Sequence, residues 1–151
     1  MAEPPMVLDR EEASVTDEEI IALFDRSTTV AVVGASENPE KPSNRIPGIL
    51  VEAGFTMIPV NPTAQEIHGQ KVYASLEDIP VHVDIVDVFR PPAEAPGIAA
   101  SAETIGANTL WLQQGITSGP AKEIAEASGL VYVEDLCIGA TVNRLGYSKK
   151  P

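Results

Sequence analysis

Cysteine is almost missing from this 151-residue chain: Cys137 stands alone, so no internal disulfide can form, and a reducing, cytoplasmic setting is the natural expectation. No run of about 20 apolar residues exists, which argues against a membrane span. The opening Met1-Ala2-Glu3-Pro4-Pro5-Met6 has neither a basic n-region nor an apolar core, so it does not read as a secretory signal. Cations are few as well, 10 Lys and Arg against 22 Asp and Glu, for a formal net charge of −12. Duplex binding and adsorption to anionic lipid both need clustered cations, so neither nucleic acid nor membrane suits this chain as a partner. The acidity itself names no partner.

What is present is ordinary globular material. With 44% hydrophobic and 21% charged residues, wholesale disorder is ruled out and one compact domain is expected. Residues 1–15 are acidic, contain proline and lack apolar periodicity, and read as a flexible arm; 148–151 read as a disordered tail. Between them, 16–147 form the domain. Thr16 with Glu19 makes a capping box, and Ile20, Ile21, Leu23 and Phe24 form an apolar stripe, predicting a helix from Thr16 to about Ser27. The run Thr28 to Val33 is a strand suited to burial on both faces. The alternation then repeats. A helix over Ile46 to Ala53, a strand over Phe55 to Val60, a loop from Asn61 to Gly69, a short extended piece Lys71 to Tyr73 and a helical turn at Ser75 to Ile79 are expected. A long strand Val83 to Phe89, a helix Pro92 to Gly106 whose start Pro96 delays, a strand Thr109 to Leu112, a helix Gly119 to Ser128 and a strand Gly129 to Val133 complete the series. Pro59 removes a ladder donor and marks the second strand as near an edge or bend. Strands alternating with helices at this spacing predict an α/β, Rossmann-like, doubly wound parallel sheet.

In such sheets ligands bind beyond the carboxyl ends of the strands. The loop after the first strand runs from Gly34 through Ala35, Ser36, Lys41 and Ser43 to Arg45, and feeds a helix N-terminus. Its glycine permits a tight turn, and the free amides and dipole of the helix favour phosphate. The bland alternative is a merely polar connection. A G-x-G-x-x-G fingerprint is absent, and Asn61-Pro62 stands after the second strand where an acid would hold a ribose 2′-hydroxyl. That weighs against NAD and leaves NADP or coenzyme A (CoA) open. Lys41, Arg45, Lys71 and Arg90 all fall on loops, and together they favour a polyphosphate site in an otherwise anionic molecule.

Val32-Val33-Gly34-Ala35-Ser36, Lys41-Pro42-Ser43, Pro59-Val60-Asn61-Pro62, His68-Gly69, Val86 to Arg90 and Leu110-Trp111-Leu112-Gln113-Gln114-Gly115 occur in that order. The series resembles the small bacterial and archaeal CoA-binding proteins, whose fold is similar to the CoA-binding domain of the succinyl-CoA synthetase α-subunit. The resemblance runs from Thr28 to about Leu145. It implies that the loop from Gly34 to Ser43 wraps the diphosphate and that Asn61-Pro62 and Phe89-Arg90-Pro91 border the adenosine. It further implies that Gln113, Gln114 and Gly115 approach the pantetheine arm. The synthetases carry a phosphorylated histidine on a second domain, and neither His68 nor His82 lies in such a context. A ligase reaction is therefore unsupported, and the chain leans away from being an enzyme.

Other residues offer little chemistry. Cys137 follows the last strand on the ligand side, where it could pair with the CoA thiol or simply be a small buried residue; its acidic neighbours weigh against reactivity. Two separated histidines and one cysteine have no zinc spacing, so no metal is expected. Asp84 and Asp87, three apart on one strand, point to opposite faces and cannot share a proton. Trp111 is read as sheet packing, with flanking a ligand as the alternative. The sequence thus predicts a cytoplasmic monomer or weak homodimer that binds CoA or an acyl-CoA. An NADP-dependent oxidoreductase and a ligand-free interaction module are the competing classes.

Overall fold

Thr16 opens the first helix as its pattern requires: its hydroxyl accepts the Glu19 amide at 3.1 Å, and the Glu19 carboxylate accepts the Thr16 amide at 2.8 Å. The computed structural model describes residues 15–150, so the arm expected over 1–15 lies outside the described residues apart from Val15. In chain order the elements are α1 (Asp17–Asp25), β1 (Thr29–Val33), α2 (Pro42–Glu52), β2 (Thr56–Val60), β3 (Glu66–Ile67), β4 (Gln70–Lys71), β5 (Ile85–Val88), α3 (Ala95–Thr104), β6 (Thr109–Leu112), α4 (Gly119–Ala127), β7 (Val131–Val133) and α5 (Ile138–Leu145). Tight 3-10 turns at Leu76–Asp78 and Pro92–Glu94 precede β5 and α3.

Five of the strands form one parallel sheet in the order β2-β1-β5-β6-β7, a doubly wound, Rossmann-like arrangement. Alternation along each strand divides the core into two layers. Val30, Val32, Ile85 and Trp111 pack with α1, α2 and α5, burying Phe24, Leu50 and Ile138. Ala31, Val86, Val88 and Leu110 pack against α3 and α4, where Ala95, Ala99, Ala102, Ala121 and Ala125 allow close approach. Because helices cover both faces, β1 and β5 are apolar almost without interruption. β2 is an edge strand, as Pro59 suggests, and the segment Val72–Tyr73 runs along its outer side: the Tyr73 amide donates to Pro59 O at 3.1 Å and the Asn61 amide to Tyr73 O at 3.0 Å.

Several expectations shift. The helix placed at Ile46 to Ala53 starts at Pro42, because proline is accepted at the first helical position. The stretch read as a loop plus an extended piece contains the hairpin β3–β4, whose turn residues His68 (φ +52°) and Gly69 (φ +73°) both have positive φ, as a type I′ turn demands. α5 was not foreseen. Pro96 does delay its helix, which becomes α-helical only at Ala95. The tail is placed as well: the Lys149 amide donates to Ala53 O at 2.7 Å, and its ammonium donates to Phe24 O at 2.8 Å beside the rings of Phe55 and Tyr147. A cation there meets the carbonyl end of α1, which corrects the reading of Ser148 to Lys150 as disordered.

Candidate ligand-binding site

The chain leaves β1 toward β2 on one side and, after β5, proceeds through β6 and β7 on the other. A crevice therefore opens between the loops that follow β1 and β5, at the point where strand order reverses. Gly34 makes the turn out of β1 at φ +93°; a β-carbon there would lie 2.9 Å from Phe89 O and from Arg90 Cδ. Only glycine brings the two loops this close.

The loop beyond Gly34 is held from several sides. Asn61 Nδ2 donates to Ala35 O at 2.9 Å, Asn44 Nδ2 to Ser36 O at 2.8 Å, and the Ser36 amide to Ser43 O at 3.1 Å. Within it, Ser36 Oγ accepts the Asn38 amide and Asn38 Oδ1 accepts the Glu40 amide. Ser43 O is available to the loop for a definite reason. Its ordinary partner in a helix would be the amide of residue 47, which is Pro47. His68 secures the same corner, lying against Gly48 and donating from Nε2 to Asn44 O at 2.6 Å. At the start of α2, Lys41 supplies no side-chain cap, Pro42 has no N–H, and the Ser43 amide has no partner among the described residues. A rigid loop thus ends in an uncapped, positive helix terminus.

The four cations expected on loops are used unequally, and only Lys41 and Arg90 stand on loops: Arg45 lies in the first turn of α2 and Lys71 in β4. Arg90 grips Glu94 with Nε at 2.9 Å and Nη2 at 2.7 Å, which raises its own pKa and lowers that of Glu94 through the hydrogen bonds. Arg45 Nη1 donates to Glu40 O at 2.7 Å, folding back on the loop. Lys41 is exposed and makes no ion pair among the described residues, and Lys71 lies with Nζ 5.1 Å from the centroid of the Tyr73 ring.

Asn61 bridges the rim, since its Oδ1 also accepts the Thr63 and Ala64 amides at 2.8 Å; Pro62 and Pro91 are exposed beside it and beside Arg90 respectively, and Phe89 is half-buried. Gln113 is buried, with Oε1 accepting the Ile138 amide at 3.0 Å at the start of α5. Gln114 is exposed, and the Gly115 amide donates to Asp135 Oδ1 at 2.7 Å.

A cavity of about 430 Å³ lies at the crevice on the α3 side, lined by Val33, Val60, Ser75, Leu76, Glu94 and Ile98 among others. Its walls at 74–77 and on the first turns of α3 went unnoticed in the sequence. Only the helical turn expected at Ser75 to Ile79 hinted at them.

The remaining candidates settle into structural roles. Trp111 is fully buried, stacks on Phe24 at 5.8 Å between centroids, and donates from Nε1 to Leu136 O at 2.8 Å. Cys137 is half-buried at the N-cap of α5, its Sγ accepting the Ala140 amide at 3.3 Å. His82 and Asp84 sit at the opposite end of the strands, with Asn108. Among the described residues no group of three or more metal-ligating side chains is assembled, and no helix is long and apolar enough to cross a membrane. Asp87 stands apart. Register sets it abreast of Val32 and Trp111, it is fully buried, and neither carboxylate oxygen has a partner among the described residues. Burial pushes its pKa well above the ordinary carboxylate value.

Fold and crevice together define a doubly wound α/β domain with its working edge at the switch point. The chain belongs to the CoA binding domain family, whose pattern matches residues 28–143. Similarity to known proteins agrees. An uncharacterized Bacillus subtilis protein, YneT, is 38% identical over 120 residues, 80% of this chain and 89% of that protein. A solved structure of a hypothetical protein from Pyrococcus horikoshii superposes with a TM-score of 0.85 at 33% identity, covering 95% of this chain and 99% of that one. An ADP-forming acetate–CoA ligase of Archaeoglobus fulgidus is 38% identical over 80 residues, which are 52% of this chain and 12% of the ligase.

Proposed function

We propose that this protein binds CoA or an acyl-CoA across the switch-point crevice. The diphosphate lies on the Gly34 to Ser43 loop, where it meets the uncapped start of α2 and the Ser36 hydroxyl. Lys41 adds charge from the same corner. The adenosine occupies the cavity on the α3 side, bounded by Val33, Val60, Leu76 and Ile98, with Asn61-Pro62 and Phe89-Arg90-Pro91 as its rim. Gln114 and Gly115 flank the path of the pantetheine arm, and Gln113 shapes that path from below by holding α5. The observation that carries this reading is the loop itself: two hydrogen bonds from outside its span, from Asn61 and Asn44, and one within it, from the Ser36 amide to Ser43 O, fix its carbonyls, while the Ser43 amide at the start of α2 has no partner among the described residues. Rigid donors cost little ordering entropy on binding. The reading is one of recognition, with no catalytic residue assigned.

Isothermal titration with CoA, acetyl-CoA, NADP and NAD tests it. Binding of CoA or acetyl-CoA, weakened by added salt as phosphate contacts require, is the expected result. Binding of NADP with no response to either CoA species would replace this reading with a dinucleotide site.

A further inference from the structure

We propose that Lys71 reads the ribose 3′-phosphate of the bound CoA, an assignment that rests on the CoA-binding reading and names the group that separates CoA from ligands lacking this phosphate. In doubly wound sheets, the residue leaving the second strand lies beside the ribose; an acid there holds a hydroxyl, and a nearby cation accommodates an added phosphate. Here that residue is Asn61, and its side chain is fully committed to Ala35 O and to the Thr63 and Ala64 amides. It can neither repel a phosphate nor neutralise one.

The cation that topology brings to this strand end is Lys71. From β4 the chain passes directly to Tyr73, which bridges Val60 in parallel, donates to Pro59 O and accepts the Asn61 amide. Those bonds fix 71–73 along the outer edge of β2. The Lys71 ammonium lies on the Tyr73 ring, 5.1 Å from its centroid; Tyr73 is abreast of Val60 at the end of β2, and the cavity wall begins at Ala74, the next residue along the chain. Glu66 stands opposite Lys71 in the hairpin, yet the two make no ion pair. The other cations are engaged or placed elsewhere: Arg90 is held by Glu94, Arg45 by Glu40 O, and Lys41 stands at the start of α2 where the diphosphate belongs. A compact ammonium on a long stem suits a terminal phosphate monoester.

Titration of the wild type, Lys71→Met and Lys41→Met with CoA and with 3′-dephospho-CoA decides the matter. The expected result is a wild-type preference for CoA of about tenfold or more, as one charge-assisted contact gives. Lys71→Met should abolish that preference by losing CoA affinity alone, Lys71→Arg should keep most of it, and Lys41→Met should weaken both ligands alike. A preference that survives in Lys71→Met, an equal loss for both ligands in that variant, or a preference abolished by Lys41→Met instead would overturn the assignment. A wild type that binds both ligands equally removes Lys71 but leaves CoA binding standing. A wild type that binds neither removes both readings.

Discussion

Two aspartates three residues apart serve the two rims of the sheet in opposite ways. Asp84, at the entry to β5, has Oδ2 accepting the Thr28 and Thr29 amides at 2.7 and 2.9 Å, and His82 lies 3.3 Å from its other oxygen. It fastens β1 to β5 at the end remote from the crevice. Asp87, near the exit of the same strand, accepts nothing from any described residue and is fully buried. A buried, unpartnered carboxyl costs stability, whereas one that accepts two amides adds to it. The rim away from the crevice is built for stability; the rim beside it tolerates a group that stability alone would remove.

The largest effect expected from breaking this contrast is at Asp84. Asp84→Ala leaves two amides without their acceptor and should lower unfolding free energy by about 3 kcal/mol, judged from two hydrogen bonds to a charged group. Urea denaturation would register it, and CoA affinity of the folded variant should be unchanged. A loss of affinity instead would mean that the two rims are coupled.

Asp87→Asn sharpens the contrast through pH. The folded pKa lies above the unfolded one, so the protonated form stabilises the fold fully below the unfolded value near 3.8, and this contribution is lost as pH rises toward the folded value. Relative to wild type, Asp87→Asn should therefore gain stability progressively as pH increases from about 4. Parallel stability curves for the two proteins across that range would show that Asp87 does not titrate as its burial requires.

The smallest expected effect is at the crevice. Asn61→Ala releases Ala35 O and the Thr63 and Ala64 amides at a half-buried site. Affinity for CoA should fall about tenfold, the equivalent of one good hydrogen bond, with little change in melting temperature. An unaltered titration would show that the loop keeps its shape without this bridge.

Much of the scaffold is legible in the sequence because β1, β5 and β6 are runs that only a doubly covered sheet can bury, and Gly34 announces the turn that follows. Other parts are hidden for physical reasons. α5 begins on a cysteine cap, outside the usual set of serine, threonine, aspartate and asparagine, so nothing marks its start. The β3–β4 turn uses His68 where asparagine or aspartate would have been recognised. α2 carries prolines at both 42 and 47, and the second hid the first turn of a helix it does not break. The cavity is walled on one side by Gly97, Ile98 and Ser101 of α3 and by 74–77, where Ser75 and Glu77 belong to no motif that sequence spacing would mark. Gln113 shows the limit of motif reading: its amide oxygen is spent on the first turn of α5.

Pro47 has a consequence beyond its own helix. Ser36 and a helical amide are rivals for a single oxygen, and the imino ring settles the contest before any ligand arrives. Replacing Pro47 with alanine would hand that oxygen back to α2, so the loop after β1 would lose an anchor through a buried side chain that lies outside the loop.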